Sequence, residues 1–149
     1  MSVQKVSELM NIIYNDEVKD LPLSQLHELF IAVGWSDGGE LPDEMKTGFM
    51  QPWLNSTLVI SAWDGDRLVG VVRVLSDTIF RFVIYDLLVN PEYQGKGIGS
   101  ELVNKCKSHY PGSEWLVGCD RKDVAFYKKL GFQDVFESDT FLVIPCKLF

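Results

Sequence analysis

The spacing of hydrophobic residues in the first third of the chain predicts one strand and two helices. The strand is expected from Leu9 to Tyr14. The first helix has Ser24 as its expected N-cap, Gly34 as its expected end, and apolar positions at Leu26, Leu29, Phe30 and Val33. The second helix is expected to open at Pro42, with an apolar side formed by Met45, Phe49 and Trp53.

Strand-like runs occupy the middle of the chain. They are expected at Thr57 to Trp63, Arg67 to Leu75 and Phe80 to Val89. The first two are separated by Asp64-Gly65-Asp66, which is typical of a hairpin turn, although the turn leaves the pairing register open. Three consecutive strands with short connections favour an antiparallel meander.

The pattern then becomes helical from Ile98 to His109, and Tyr110-Pro111-Gly112 ends that helix. Because a helix connects them, the short apolar run Trp115 to Gly118 is expected to be a parallel neighbour of the preceding strand. The last expected elements are a helix from Lys122 to Leu130, capped by Asp120 and closed by Gly131, and two strands, Phe132 to Phe136 and Thr140 to Leu148. This order predicts a mixed α/β or α+β fold.

Composition narrows the classes of protein. The chain has 149 residues, of which 46% are hydrophobic, so one globular domain spanning 1–149 with a sizeable core is expected. A net charge of −7 argues against nucleic-acid binding and slightly favours a cationic substrate. No apolar run is long enough to span a membrane, and Met1 to Lys5 does not resemble a signal peptide.

The cysteines and histidines suggest a reduced, metal-free protein. Cys106, Cys119 and Cys146 are an odd number without metal-ligand spacing, and His27 and His109 form no ligand pattern. We therefore expect no metal and a cytoplasmic location.

The most informative stretch joins the Phe80 to Val89 strand to the next helix. Asn90-Pro91 ends the strand, and Gly95, Gly97 and Gly99 then alternate up to the helix start. Glycines allow close approach of the backbone to a ligand, and a helix N-terminus favours negative charge. The sequence predicts a phosphate-binding loop here, the alternative being a simple tight turn.

Two known nucleotide motifs fit this loop poorly. A P-loop needs Ser or Thr directly after its lysine, but Lys96 is followed by Gly97. A dinucleotide fingerprint needs G-x-G-x-x-G directly after the strand, whereas this chain has G-x-G-x-G with five residues between Val89 and Gly95. Asp120 does lie about 20 residues further on, as that fingerprint requires, but repeated βαβ units are missing.

The stretch Gln94-Gly95-Lys96-Gly97-Ile98-Gly99 matches the Q/R-x-x-G-x-G/A motif of the GNAT (Gcn5-related) N-acetyltransferases. The late stretch Val124 to Phe132 resembles the family's late helix, and the order of elements is similar to the GNAT fold over nearly the whole chain. The resemblance implies a three-layer fold: a mostly antiparallel twisted sheet with a splayed parallel pair in the middle, and helices on both faces.

The resemblance also implies acetyl-CoA as co-substrate and direct transfer of its acetyl group to a primary amine, expected to be that of a small molecule. The implied cofactor-binding residues are Leu87, Leu88, Val89, Gln94, Gly95, Lys96, Gly97, Ile98, Gly99, Ser100, Asp120, Phe126 and Tyr127. Leu88 is the implied backbone donor to the oxyanion. Where the family often has asparagine before the late helix, this chain has Asp120-Arg121-Lys122-Asp123, which puts that cofactor contact in doubt.

Tyr127 is implied as the acid that protonates the departing thiolate. The alternative is a core aromatic with a hydrogen-bonded hydroxyl. Because an ordinary tyrosine is a weaker acid than a thiol, Tyr127 could also act mainly as a hydrogen-bond donor.

The general base and the acceptor site are less defined. Asp86 is the favoured base candidate, ahead of Tyr85, Glu92 and His27, and a water chain could replace them all. Tyr85 and Asp86 are expected on opposite faces of their strand. The candidate acceptor-binding residues are Trp35, Ser36, Asp37, Phe49, Trp53, Arg73 and Tyr85, although most of the aromatic ones could be core residues.

Other functions remain open. The acceptor could be a protein amine, or the domain could bind acyl-CoA without catalysis. We expect no nucleic-acid or membrane partner, and a homodimer because dimers are common in the family.

Overall fold

The computed structural model describes residues 11–40, 43–135 and 142–147, which fall into two compact units that divide between Gly118 and Cys119. The first unit contains β1 (Ile12–Asn15), α1 (Leu23–Ala32), α2 (Asp43–Leu54), β2 (Leu58–Asp64), β3 (Arg67–Ser76), β4 (Arg81–Val89), a 3-10 turn (Pro91–Tyr93), α3 (Ile98–His109) and β5 (Glu114–Val117). The second contains a 3-10 turn (Arg121–Asp123) and α4 (Val124–Lys129).

The strands of the first unit form one mixed sheet in the order β1-β2-β3-β4-β5. Neighbours from β1 to β4 are antiparallel, and β4 and β5 are parallel, which confirms the meander and the parallel pair. In the hairpin between β2 and β3, Asp64 pairs with Arg67. Gly65 has the positive φ of 57° that such a turn requires.

Helices cover both faces of this sheet. A Cβ placed on Gly70 of β3 would lie 3.3 Å from side-chain atoms of Ile98 and Leu102, so this face carries α3. The next residue, Val71, points the other way and packs with Leu26 and Leu29 of α1. The mixed α/β fold with helices on both faces is thereby confirmed.

The core beneath α1 and α2 consists of large apolar side chains. It is formed by Leu21, Leu26, Leu29, Trp53, Val59, Leu68, Val71 and Leu88. Gln25 of α1 also ties the helix to the hairpin, since its Oε1 accepts from the Leu68 N–H at 2.8 Å and its Nε2 donates to the Asp66 carbonyl at 3.1 Å.

Two predicted caps are wrong. Ser24 lies inside α1, which begins at Leu23 after Pro22, and the Pro22 carbonyl accepts the Leu26 N–H at 3.0 Å. Pro22 is the N-cap residue of this helix, with an extended ψ of 116° and no side-chain cap. Asp120 makes no side-chain cap; its carbonyl accepts the Asp123 N–H at 2.9 Å and closes a 3-10 turn instead.

Other boundaries shift or lie outside the description. The described part of the first strand begins at Ile12 and runs one residue past Tyr14, while Leu9, Pro42 and the Met45 side chain are outside the described residues. No strand is present in the described parts of the two expected last strands, 132–135 and 142–147. Leu142, Val143 and Ile144 are exposed, and β propensity takes effect only where side chains pack on a pleated surface.

Candidate active site

The loop after β4 is built from local signals in the sequence. The Asn90 side chain accepts the Glu92 N–H at 2.9 Å, which starts the turn that ends the strand. Gly95 and Gly97 have φ values of 75° and 85°, and a Cβ placed on either would meet no atom within 4 Å. Both conformations disfavour larger residues, and open space lies in front of them.

This loop leads straight into the N-terminus of α3. The first intrahelical bond runs from the Glu101 N–H to the Gly97 carbonyl at 3.0 Å. The N–H groups of Ile98, Gly99 and Ser100 precede that bond, so they have no partner within the helix. With Gly97 as N-cap there is also no side chain to cap this end. The arrangement suits an anion such as a phosphate.

Two positively charged side chains, Lys96 and Arg67, lie close to the Tyr93 ring at the start of this loop. The Lys96 ammonium and the Arg67 guanidinium each lie 5.6 Å from the centre of the Tyr93 ring. The Tyr93 hydroxyl donates to Asp64 Oδ2 at 2.6 Å, which fixes the ring. Gln94 Nε2 donates to the Val89 carbonyl at 3.0 Å and so holds the loop against the end of β4.

β4 has an open edge just before the loop. Its parallel pairing with β5 ends at Ile84 opposite Val117, but β4 continues to Val89. Among the residues that the structure describes, no strand pairs with this last part of β4 on the β5 side. An open edge of this kind can hydrogen-bond an extended ligand as an added strand would.

The strand register identifies which backbone groups face that edge. The Asn90 N–H donates to the Val69 carbonyl of the β3 strand at 2.8 Å, so the Asn90 backbone faces β3. Backbone groups alternate along an antiparallel strand. Leu88 therefore also faces β3, whereas the Leu87 and Val89 N–H and C=O groups face the open edge. The prediction that Leu88 presents its N–H at this edge is therefore wrong, and the Leu88 side chain is buried in the core.

A β-bulge interrupts β4 where the edge opens. Arg73 pairs with Asp86 and Val74 pairs with Ile84, so Tyr85 is the additional residue. The bulge reverses the faces of the strand. Before it, Phe82 packs against Tyr110, which follows α3, with ring centres 4.2 Å apart; after it, Leu88 packs in the core beneath α1.

Tyr85 and Asp86 both contact Arg73, so the prediction that they lie on opposite faces is wrong. Arg73 Nε donates to Asp86 Oδ2 at 2.5 Å, and the Arg73 guanidinium carbon lies 5.5 Å from the centres of the Tyr85 and Trp53 rings. The hydrophobic pattern does not specify how β3 and β4 are paired, and without that register the bulge that brings these residues together could not be foreseen.

The other candidates for the base and the acceptor site lie around α1 and α2. Phe49 packs edge-on against Phe30, with ring centres 5.3 Å apart, and Trp53 is a core residue. Trp35 packs on Phe30 but is 55% exposed. His27 Nε2 lies 3.3 Å from Ser36 Oγ.

Two acidic candidates already have partners. Asp37 accepts the Gly39 N–H at 2.8 Å, and Glu92 forms an exposed ion pair with Arg67 at 3.1 Å.

A pocket that the sequence did not indicate lies beside the start of the glycine loop. Its volume is about 320 Å³, and it is lined by α1, by the start of β3 and by residues 90–92. Its polar side chains are those of Gln25, Glu28, Arg67, Asn90 and Glu92. No motif in the sequence links these residues, since the pocket forms only when α1 packs on the hairpin.

Tyr127, Phe126 and Asp120 belong to the second unit. Tyr127 is buried and packs edge-on against Phe126 and Phe132, with ring centres 5.0 and 5.4 Å away. Burial, reinforced by Cys119 and Asp123, raises the pKa of Tyr127 well above its ordinary value. Its hydroxyl is therefore neutral at pH 7 and suited to donating a hydrogen bond.

Within the described ranges, no group of three or more histidine, cysteine or carboxylate side chains is arranged to hold a metal ion. Over the same ranges, no helix is long and apolar enough to cross a membrane.

Residues 41–143 match the family model described as "Acetyltransferase (GNAT) domain". The chain is 32% identical over 123 residues to histone acetyltransferase TAP1 of Glycine max, covering 76% of this chain and 53% of that one. It is also 32% identical over 132 residues to GCN5-related N-acetyltransferase 2, chloroplastic, of Arabidopsis thaliana, covering 76% and 51%. The chain thus spans about half the length of these curated relatives.

Among solved structures, the GNAT family protein SP0256 from Streptococcus pneumoniae TIGR4 superposes with a TM-score of 0.74. The sequences are 27% identical, and the match covers 93% of this chain and 100% of the other.

Proposed function

Because this chain belongs to the GNAT family of acetyltransferases, we propose that it transfers an acetyl group from acetyl-CoA to a primary amine of a small molecule. The observation that carries this proposal is the junction at the end of β4. There an open strand edge, from Tyr85 to Val89, runs directly into the glycine loop and the N-terminus of α3.

The two parts of this junction fit the two parts of coenzyme A. The N–H groups at the start of α3 and the space in front of Gly95 and Gly97 suit a pyrophosphate. The Leu87 N–H and C=O and the Val89 N–H suit the amides of the pantetheine arm, which would lie along β4 as an added strand. The Val89 carbonyl already accepts from Gln94.

The bound thioester supplies the acetyl group. The amine nitrogen forms a bond to the carbonyl carbon while the carbon–sulfur bond breaks and sulfur keeps the electron pair. The nitrogen loses one proton to solvent or a base, and the sulfur gains one. Leu87 is the residue whose N–H we assign to the negative charge that develops on the carbonyl oxygen, a contact typically worth about 10²- to 10³-fold in rate.

Proton movements restrict the remaining roles. An amine with a pKa near 10 is neutral in only about one molecule in a thousand at pH 7, so losing its proton costs about 4 kcal/mol. Asp86 is an unfavourable base because Arg73 already binds its carboxylate, which favours a water chain. Tyr127, with its raised pKa, would donate a hydrogen bond to the leaving sulfur.

The acceptor class has one specific alternative. A relative named a histone acetyltransferase makes a protein lysine the second candidate. We favour a small amine because aromatic side chains and acidic residues border α1 and α2 and the chain is acidic overall. The expected homodimer and cytoplasmic location stay predictions.

Two measurements test this function. Isothermal titration with CoA measures binding, and thiol release from acetyl-CoA measures turnover with a panel of small amines and, separately, with lysine peptides. Turnover with small amines only supports the proposal, whereas turnover with peptides only supports the alternative. If CoA binds but neither panel shows turnover, and if Tyr127→Phe changes neither CoA binding nor thiol release, the domain is better described as a non-catalytic binding module.

A further inference from the structure

One side chain, Arg73, connects the β4 bulge to the helix that covers it. It donates to Asp86 and lies against Tyr85, the two residues that oppose it across the bulge. On its other side it lies against Trp53 of α2, and its Nη1 donates to Ser56 Oγ at 3.4 Å. Arg73 is therefore fixed from both sides.

The pair that Arg73 forms with Asp86 is largely buried. The two side chains are only 16% and 18% exposed. Removing one partner of such a pair leaves the other charge without compensation, whereas replacing both by apolar residues is often tolerated. Asp86 thus depends on Arg73 to remain at this position.

The bulge decides which backbone groups face the open edge. If β4 lost the additional residue at Tyr85, the following residues would slip by one position and every group would change sides. Leu88 would then present its N–H to the edge, and Leu87 would turn to β3. The Leu88 side chain would also leave the core in which it is buried.

We propose that Arg73 is a positioning residue that holds β4 in its bulged register and so keeps the Leu87 N–H directed at the open edge. The partner through which it acts is Asp86, whose role is to anchor the bulge and not to accept the proton of the amine. The consequence for acetyl transfer rests on the proposed function, while the effect on the strand does not.

The test compares Arg73→Met, Asp86→Asn and the double variant Arg73→Met/Asp86→Leu with wild type. Arg81→Met is a matched control, since Arg81 lies at the start of the bulged strand β4 in an exposed ion pair with Glu114 at 3.3 Å. Hydrogen exchange of the free protein reports on the strand, calorimetry on CoA affinity, and steady-state kinetics with an accepted amine on turnover.

We expect Arg73→Met to accelerate exchange at the Asp86 and Leu88 amides, which bond to β3, and to lower kcat about 100-fold, as a small misplacement of reacting groups does. CoA affinity should fall less than kcat, because the pantetheine arm loses its pairing with Leu87 and Val89 while the glycine loop that would hold the pyrophosphate is intact.

Asp86→Asn leaves the Arg73 charge without its counter-ion, so the variant should be less stable than wild type. Its amide oxygen still accepts from Arg73, so kcat should fall about tenfold at most and the wild-type pH profile should be kept, whereas loss of a general base costs about 10²- to 10⁴-fold. The double variant should be more stable than Arg73→Met. It can therefore take the place of Arg73→Met in these measurements if Arg73→Met folds poorly.

Three results would overturn the proposal. The first is wild-type exchange and turnover in Arg73→Met; the second is an equal effect of Arg81→Met. The third is an Asp86→Asn variant that loses both turnover and the acidic limb of its pH profile while its exchange is unchanged. If wild type neither binds CoA nor acetylates any amine, the proposed function fails, but the exchange comparison still decides whether Arg73 holds the bulge.

Discussion

Replacing Gly97 with aspartate tests the assignment of the glycine loop to a pyrophosphate. The φ of 85° at Gly97 costs an L-residue about 1–2 kcal/mol, although aspartate tolerates this region better than most. A Cβ added at Gly97 would meet no atom within 4 Å, so Gly97→Asp should fold with slightly reduced stability. Its carboxylate would project into the space proposed for the phosphates.

The loss in affinity follows from charge repulsion. Two unit charges 4 Å apart repel by about 1 kcal/mol in water and about 4 kcal/mol at an effective dielectric constant of 20. Since each 1.4 kcal/mol is a factor of ten, CoA affinity should fall between about fivefold and several hundredfold. The backbone strain is present with and without ligand and largely cancels. Gly97→Ala, which adds a Cβ but no charge, should show a smaller loss.

Calorimetry with two ligands provides the assay. CoA carries the pyrophosphate and pantetheine does not, so only CoA should bind Gly97→Asp more weakly, and the difference should shrink at high salt. Gly112→Asp is the matched control, because Gly112 has a φ of 81°, an equally open Cβ position and a place beyond the other end of α3. Equal losses for CoA and pantetheine, or equal effects of the two aspartate variants, would refute the assignment.

Three further predictions concern the core and the titratable groups. Gly70→Val should lower the free energy of unfolding in urea by about 1–3 kcal/mol, because its side chain would overpack Ile98 and Leu102. Burial raises the pKa of the Cys106 thiol to about 12. The protonated thiol therefore contributes fully to the free energy of unfolding below pH 9. This contribution falls by about 1.4 kcal/mol per pH unit between pH 9 and pH 12. Cys106→Ala should show a flatter decline in urea melts over this range. Tyr127→Phe should lower kcat without changing the pH profile below about pH 10, because the raised pKa keeps the wild-type hydroxyl protonated there.

Elements whose turn or helix signals lie within their own sequence were predicted correctly from the sequence. The Asp64-Gly65-Asp66 turn, the α3 helix from Ile98 to His109 and its glycine N-terminus all form as predicted, because each depends on neighbouring residues alone. The Ser24 cap failed because the helix takes Pro22, two residues earlier, as its N-cap. The local sequence alone did not decide between these two positions.

The features that depend on pairing could not be read from the sequence. Arg73 and Asp86 lie 13 residues apart, and their contact requires the register of β3 against β4 and the additional residue between Ile84 and Asp86. The same register determines that Leu87 and not Leu88 faces the open edge. The motif therefore predicts which residues form the glycine loop. The backbone groups of β4 that face the open edge depend on the strand register, which no local pattern encodes.

After the bulge, successive residues of β4 direct their backbone groups alternately to β3 and to the open edge. Neighbouring residues therefore serve either the core or the ligand. Leu88 turns its side chain into the core and its backbone to β3, so it holds the strand in place. Leu87 and Val89 are only partly buried, and their backbone groups face outward. A ligand can therefore pair with this edge without disturbing the core, provided that the bulge keeps the register. Loss of Arg73 should therefore weaken both turnover and the pairing of the pantetheine arm, and it should affect turnover more strongly because the glycine loop still holds the pyrophosphate.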